Sequence, residues 1–258
     1  MTNTITTTDV ERTLAALATT APEGLSDRVL LETGLADRVA TVDGLIEPLR
    51  IVFGPRGVTA CTPASRWADH LAHHQRRPVV EVEALPGRLA AQVRRTLATG
   101  KLGRLPVDLG GLSEFQQAVL RKTAEIPRAE VRPYGWVARE IGKPGAVRAV
   151  GTALNKNPIP VLIPCHRVSR SDGHLGEYAW GPEMKRQLLA AEGLDADRVE
   201  ALADQGVRYI GSDTTHIFCH PTCRTARPIT AVHRVEFPSA SAATAAGYRA
   251  CKVCRPAA

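Results

Sequence analysis

Two close pairs of cysteines constrain the last quarter of this chain more tightly than any other feature. Cys219-x3-Cys223 and Cys251-x2-Cys254 are separated by 27 residues. The opening run Met1-Thr-Asn-Thr-Ile-Thr-Thr-Thr has no basic segment leading into an apolar one. No window approaches the ~18 consecutive apolar residues of a membrane span. The expected location is therefore the cytoplasm, with no membrane partner, and there thiols stay reduced. Two thiol pairs at this spacing then predict one tetrahedral zinc ion held by Cys219, Cys223, Cys251 and Cys254. His216, His220 and His233 lie close in sequence, but four thiolates already satisfy the ion.

A chain of 258 residues can bury more than one core, and its pattern divides it. Residues 10–44 alternate helix formers with turn residues and predict two short helices in an extension covering 1–45. Ile51, Val52, Phe53, Val58 and Thr59 flank Gly54-Pro-Arg-Gly57, a hairpin signal. A strand at Val79–Val82 and a helix at 85–99 complete a small α/β layer, 46–110. Cys61, in the second hairpin strand, has no partner cysteine nearby and reads as a buried structural thiol.

From 111 to 194 the pattern is helical. Ser113 can cap a helix over 114–125, which Ile126-Pro127 ends. Helices over 134–141 and 146–154 flank Gly142-Lys-Pro-Gly145, a helix-turn-helix pattern. Pro158-Ile-Pro-Val-Leu-Ile-Pro-Cys-His-Arg-Val168 reads as a strand-like apolar run, and a helix over 182–192 follows. An acidic helix over 195–205 is expected to open a separate zinc-bound α+β module, 195–258.

Charge is concentrated in two places. Residues 113–168 hold nine Lys/Arg against four Asp/Glu, and residues 206–258 hold seven against two. Two basic blocks suggest two surfaces that meet a polyanion.

Cys165 sits between Pro164 and His166, in a rigid segment that suits a nucleophile. A Cys-His pair alone reads equally as a buried thiol beside a surface histidine, so the surrounding string decides. Ile163-Pro-Cys-His-Arg-Val168 is preceded by Arg148-Ala-Val-Gly151 and Asn157-Pro158. Phe115-Gln116, Ile126-Pro127, Tyr134-Gly135, Gly176–Gly181 and Lys185–Gly193 stand around it in order. From about Ile46 to Gly193 this resembles the alkylguanine-DNA alkyltransferase family. The resemblance implies a ribonuclease H-like N-terminal layer and a helix-turn-helix domain carrying the active site. It further implies direct-reversal DNA repair, with one irreversible transfer of the alkyl group from guanine O6 (or thymine O4) to Cys165. His166 would act as base through water, oriented by Glu192. Tyr134 would donate to guanine N3, and Asn157 would tie helix to active-site segment. Carbonyls near Cys165 and Val168 would read the guanine amine. Arg148 would fill the vacancy left by the rotated nucleotide. Ala149 and Gly151 would approach the minor groove, and Tyr178 would also contact DNA. No organic cofactor is implied, because the nucleophile ends as the product. Lesion-binding relatives lack the cysteine that this chain has. Pro133 and Ala179 depart from the pattern and leave the range of alkyl groups open.

Thr214-Thr-His-Ile-Phe-Cys-His-Pro-Thr-Cys223 and Ala245-Ala-Gly-Tyr-Arg-Ala-Cys-Lys-Val-Cys254 resemble the metal-binding domain of the Ada adaptive-response family. That resemblance makes Cys219 both ligand and second methyl acceptor, from a backbone phosphotriester. Thr215, Arg249 and one of Arg224 or Arg227 would be phosphate contacts. A module that only anchors DNA, or a methylation-sensing transcription regulator, is the alternative. The implied partner is double-stranded DNA, met by a monomer.

Overall fold

The computed structural model describes residues 24–74 and 77–256, together with Thr8, Glu11 and Pro22. Apart from Glu11, the expected helix near residue 10 lies outside these residues. Helix α1 (Leu25–Glu32) leads into a sheet of β1 (Asp37–Val42), β2 (Leu49–Gly54), β3 (Gly57–Pro63) and β4 (Val79–Glu81), in the order β3-β2-β1-β4. β1, β2 and β3 run antiparallel, and β4 joins β1 in parallel. The hairpin forms where Gly54-Pro-Arg-Gly57 announced it. β1 corrects the sequence reading. Asp37-Arg-Val-Ala-Thr-Val42 lies in the segment expected to be helical, and it pairs with β2 from Arg38↔Phe53 to Val42↔Leu49. A domain break at 45/46 would cut that ladder. Tertiary pairing here overrides the local turn signals.

Helices α2 (Trp67–His74) and α3 (Gly87–Thr99) follow the third and fourth strands. The helical part begins with α4 (Glu114–Thr123), whose entry Ser113 and Gln116 close reciprocally as a capping box, worth about 1 kcal/mol. β5 (Arg132–Pro133) pairs in parallel with β6 (Val168–Ser169), with Arg132 opposite Val168. Between them lie α5 (Tyr134–Glu140) and α6 (Val147–Asn155). Gly142, at φ 70°, turns the chain out of α5, and the Lys143 amide closes back on the Ala138 carbonyl at 2.9 Å. α6 buries Val150, Ala153 and Leu154 and presents Arg148, Ala149 and Thr152 to solvent.

The run expected to be strand-like, 158–168, is buried from Ile159 onward but irregular. It ends in a 3₁₀ turn at Cys165–Arg167, and only Val168 enters a strand. Pro158, Pro160 and Pro164 deny the segment the amide donors that a ladder needs. α7 (Pro182–Ala191) then starts with proline at its first turn.

One core spans the sheet and the helices: Ile51, Phe53, Val93, Leu120, Trp136, Val150, Ile163 and Cys165 belong to the same buried cluster. The acidic helix α8 (Ala196–Asp204) also belongs here. Its Ala196 and Val199 pack with Ala129, Val131, Leu175 and Leu189, so the expected break at 194/195 falls inside a core.

The C-terminal sheet holds β7 (Tyr209–Ser212), β8 (Ile217–Cys219), β9 (Arg234–Phe237) and β10 (Arg249–Ala250), in the order β10-β8-β7-β9, with α9 (Ala240–Ala245) against it. Phe218, Phe237, Ala243 and Tyr248 fill its core. A β-carbon on Gly211 would meet the Tyr248 and Phe237 rings at 2.8–2.9 Å, so β7 needs glycine there. This module is welded to the helical part. Trp136 Nε1 donates to the Cys254 carbonyl at 2.9 Å, and Arg139 Nη2 to the Pro256 carbonyl at 3.3 Å. Arg255 pairs with Glu140 at 2.5 Å.

Candidate active site and metal centre

Asn157 organises the Cys165 loop from both ends of its amide. Its Oδ1 accepts from the Ile159 amide at 3.0 Å, while Nδ2 donates to the Ile163 carbonyl at 2.9 Å and to Cys165 Sγ at 3.2 Å. Val161 is held at φ 70°, a left-handed backbone that a β-branched residue avoids. Such local strain persists where the surrounding structure over-determines it. Cys165 opens the 3₁₀ turn and is 8% exposed. Burial pushes its thiol up, against the Asn157 hydrogen bond and the Lys185 charge that favour thiolate. The thiol therefore needs a base.

His166 supplies the geometry for one. Its ring is fully buried, with Nε2 2.8 Å from Glu192 Oε1. Burial raises the cost of the Glu192 carboxylate, but hydrogen bonds from His166 and Arg167 outweigh it and hold the group down at about 2. An ionised carboxylate only accepts, so Nε2 carries the proton. Burial also keeps His166 below its ordinary value, against Glu192. The neutral ring thus leaves its lone pair on Nδ1, a buried atom with no hydrogen-bond partner.

Arg167 and Lys185 were not singled out from the sequence. Arg167 is 1% exposed and grips Glu192 through Nε (3.0 Å to each oxygen) and Nη2 (2.6 Å). Its Nη1 donates to the Gly100 and Ile126 carbonyls. Lys185 Nζ donates to the Val168 and Leu175 carbonyls at 2.7 and 2.6 Å. Burial lowers it to about 8. The Val168 carbonyl expected to read guanine thus already accepts one bond. Lys185 had a signal in the sequence, a lone cation on the Leu188-Leu189 face of α7.

Cys165 opens onto a cavity of about 290 Å³, lined also by Cys61, Arg66, Asn157, Tyr178 and Trp180. Cys61 is buried, and burial drives its thiol far up, so it stays protonated. The Tyr178 hydroxyl is buried beside Cys165, where it favours the thiolate, and its ring lines the cavity. Tyr134 lies outside the lining, on α5, where burial pushes its hydroxyl up. Its ring would touch a β-carbon on Gly151 at 3.9 Å. Arg148 and Ala149 stand exposed on α6, and Arg148 makes no ion pair with any described residue.

The sulfurs of Cys219, Cys223, Cys251 and Cys254 lie within 4.8 Å of one another. Tetrahedral zinc with Zn–S of ~2.3 Å fits that spacing. None of the three histidines joins them: His233 bonds Asp213 at 3.0 Å, and His216 packs on the Tyr248 ring. His220 is buried, with Nε2 unpartnered. All four cysteines are buried, Cys219 at 1% exposure. Thr215 and Arg249 are exposed, and the Arg249 amide bonds the carbonyl of His216, next to Thr215, at 2.9 Å. Arg227 is turned away to the Ala129 and Thr222 carbonyls.

Residues 114–194 match the family described as 6-O-methylguanine DNA methyltransferase, DNA binding domain, and residues 200–257 match the metal binding domain of Ada. A methylated-DNA–protein-cysteine methyltransferase of Shigella flexneri is 38% identical over 125 residues, which are 47% of this chain and 72% of that relative. The chain belongs to this methyltransferase family. Another member, from Mycolicibacterium paratuberculosis, is 49% identical over 34% of this chain, a match that spans about half (53%) of that relative. The crystal structure of Mycobacterium tuberculosis OGT in complex with DNA superposes with a TM-score of 0.51 at 30% identity, over 63% of this chain and 98% of that one. These methyltransferases share a mixed arrangement of sheet and helices with the chain. The matched Ada domain and the clustered sulfurs make the C-terminal module a four-cysteine zinc site. No helix among the described residues is long and apolar enough to cross a membrane.

Proposed function

We propose that this protein repairs alkylated double-stranded DNA by moving the alkyl group from guanine O6 to Cys165, once per molecule. The observation that carries the reading is the Cys165 thiol at the floor of a cavity, bonded to Asn157 and backed by a neutral His166 whose Nδ1 is unpartnered. In this reading α5 and α6 act as a helix-turn-helix, with α6 in the minor groove. The N-terminal layer is ribonuclease H-like, and the working species is a cytoplasmic monomer bound to the nucleoid. The lesion rotates into the cavity because O6 is unreachable inside the stack, and Arg148 takes its place.

The thiol proton passes to His166 Nδ1, through one water where the contact is not direct. The thiolate attacks the alkyl carbon in line: the S–C bond forms as the C–O6 bond breaks. Tyr134 gives its proton to guanine N3, so guanine leaves neutral. The proton on His166 then restores the tyrosine, and the thioether has no leaving group.

In the C-terminal module zinc would keep the four sulfurs deprotonated. Cys219 is the candidate acceptor from a methylphosphotriester, with Thr215, Arg249 and Arg224 as phosphate contacts. Its burial means that the metal loop must open for that transfer. Intact-protein mass spectrometry tests both sites. One methyl (about 14 Da) should arrive from O6-methylguanine DNA and be lost in Cys165→Ser. A second, from methylphosphotriester DNA, should be lost in Cys219→Ser. Unlabelled wild-type protein after the first incubation would overturn the reading.

A further inference from the structure

The metal module reaches the alkyltransferase relay through a single strained residue. Ala129 has φ 57°, the left-handed region that a side chain disfavours, and is 5% exposed. This conformation aims its amide at Glu192 Oε2, 3.0 Å away, so Ala129 is a donor to the carboxylate that orients His166. Its carbonyl, on the other side, accepts from Arg227 Nη2 of the zinc module. Arg227 sits in a turn anchored on the ligand Cys223, whose carbonyl accepts from the Ala226 and Arg227 amides at 2.8 and 3.2 Å. The neighbouring residues are held from the same loop. The Arg224 amide donates to Glu130 Oε1 at 3.1 Å, and Thr222 Oγ1 accepts from the Val131 amide at 2.9 Å. Among the described residues, no group of the helical part donates to the Ala129 carbonyl.

We infer that Arg227 is a positioning residue for alkyl transfer at Cys165: it holds Ala129 in its strained conformation and so fixes Glu192 and His166. The inference rests on the proposed alkyl transfer. It makes the zinc loop part of the scaffold of the other site and takes Arg227 out of the set of phosphate contacts. A strained backbone persists only while its surroundings hold it; without the Arg227 bond to its carbonyl, Ala129 relaxes and its amide swings off the carboxylate.

The test is single-turnover methyl transfer from an O6-methylguanine duplex to the full chain, with protein in excess at increasing concentration. Arg227→Ala should lower the limiting rate about fivefold, as expected for one weakened hydrogen bond to a charged relay, with the half-saturating concentration unchanged. Arg227→Lys, which can still donate, should recover most of the rate. In an Ala129→Gly background the left-handed backbone is free of cost, so Arg227→Ala should matter by less than about twofold. An effect confined to the half-saturating concentration would mark Arg227 as a DNA contact and overturn the inference, as would an unchanged limiting rate. The proton on His166 Nε2, followed by NMR without DNA, reads the same geometry independently of turnover. It should shift in Arg227→Ala, and an unmoved resonance also overturns the inference. No transfer by the wild type, together with that shift in Arg227→Ala, would defeat the alkyl-transfer reading and leave the hydrogen-bond chain standing.

Discussion

Replacing Glu192 by glutamine changes one buried atom and should cost the protein both stability and chemistry. Every group around this carboxylate is a donor: His166 Nε2, Arg167 Nε and Nη2, and the Ala129 amide. Glutamine places an NH2 against one of these donors and leaves the Arg167 guanidinium, 1% exposed, without its counter-charge. Stranding a buried charge costs about 3–5 kcal/mol. The lowered carboxyl of Glu192 leads to a figure of the same size. Glu192 falls from 4.5 to about 2 on folding, which at about 1.4 kcal/mol per unit corresponds to roughly 3 kcal/mol. Because the folded value is the lower one, that stability is present above pH 4.5 and is lost as pH falls toward 2. Urea denaturation should therefore show the Gln variant less stable by about 3 kcal/mol at pH 7. The wild type should lose its advantage across the window from 4.5 to 2. The NH2 also favours the tautomer with the proton on Nδ1, which removes the base, so methyl transfer should fall by about a hundredfold or more. A variant that loses under about 1 kcal/mol at pH 7 and keeps its transfer rate would refute the electrostatic account of the relay.

Other consequences follow from the same geometry. Because burial holds His166 below 6.5, the transfer rate should rise as pH climbs through that depressed value and be level near neutrality; a rise centred above pH 7 would point to a different base. Gly151→Ala meets only an ordinary contact at 3.9 Å and gains up to about 1 kcal/mol of helix propensity. Thermal melts should show no loss of stability, while duplex binding weakens. Arg148→Ala should slow transfer from duplex DNA and spare transfer from the free base O6-methylguanine; equal losses on both would contradict a stack-filling role. Chelation of zinc should unfold the C-terminal module and, through the Trp136–Cys254 bond, lower the melting temperature of the helical part as well, read by tryptophan fluorescence.

The Ser113 cap, the Gly/Pro turn after α5 and the four thiols rest on local chemistry, and a sequence displays local chemistry directly. The acceptor string was equally legible, since its residues lie within a few positions of one another. Pairings were not. β1 was hidden because turn residues on both sides of it masked a short strand that only pairing with β2 and β4 defines, and the prolines of the 158–168 segment looked extended until their missing donors made it irregular. Arg167 and Lys185 lay inside the quoted strings without a role of their own. Only the tertiary structure buries them, against Glu192 twenty-five positions on and against carbonyls of other segments. The sequence by itself pointed to the proposed acceptor thiol and to the four sulfurs of the zinc site. Whether the two basic modules stand apart was decided by tertiary structure, because the bonds of Trp136, Thr222 and Arg227 join groups about a hundred residues apart, and no spacing rule reaches that far.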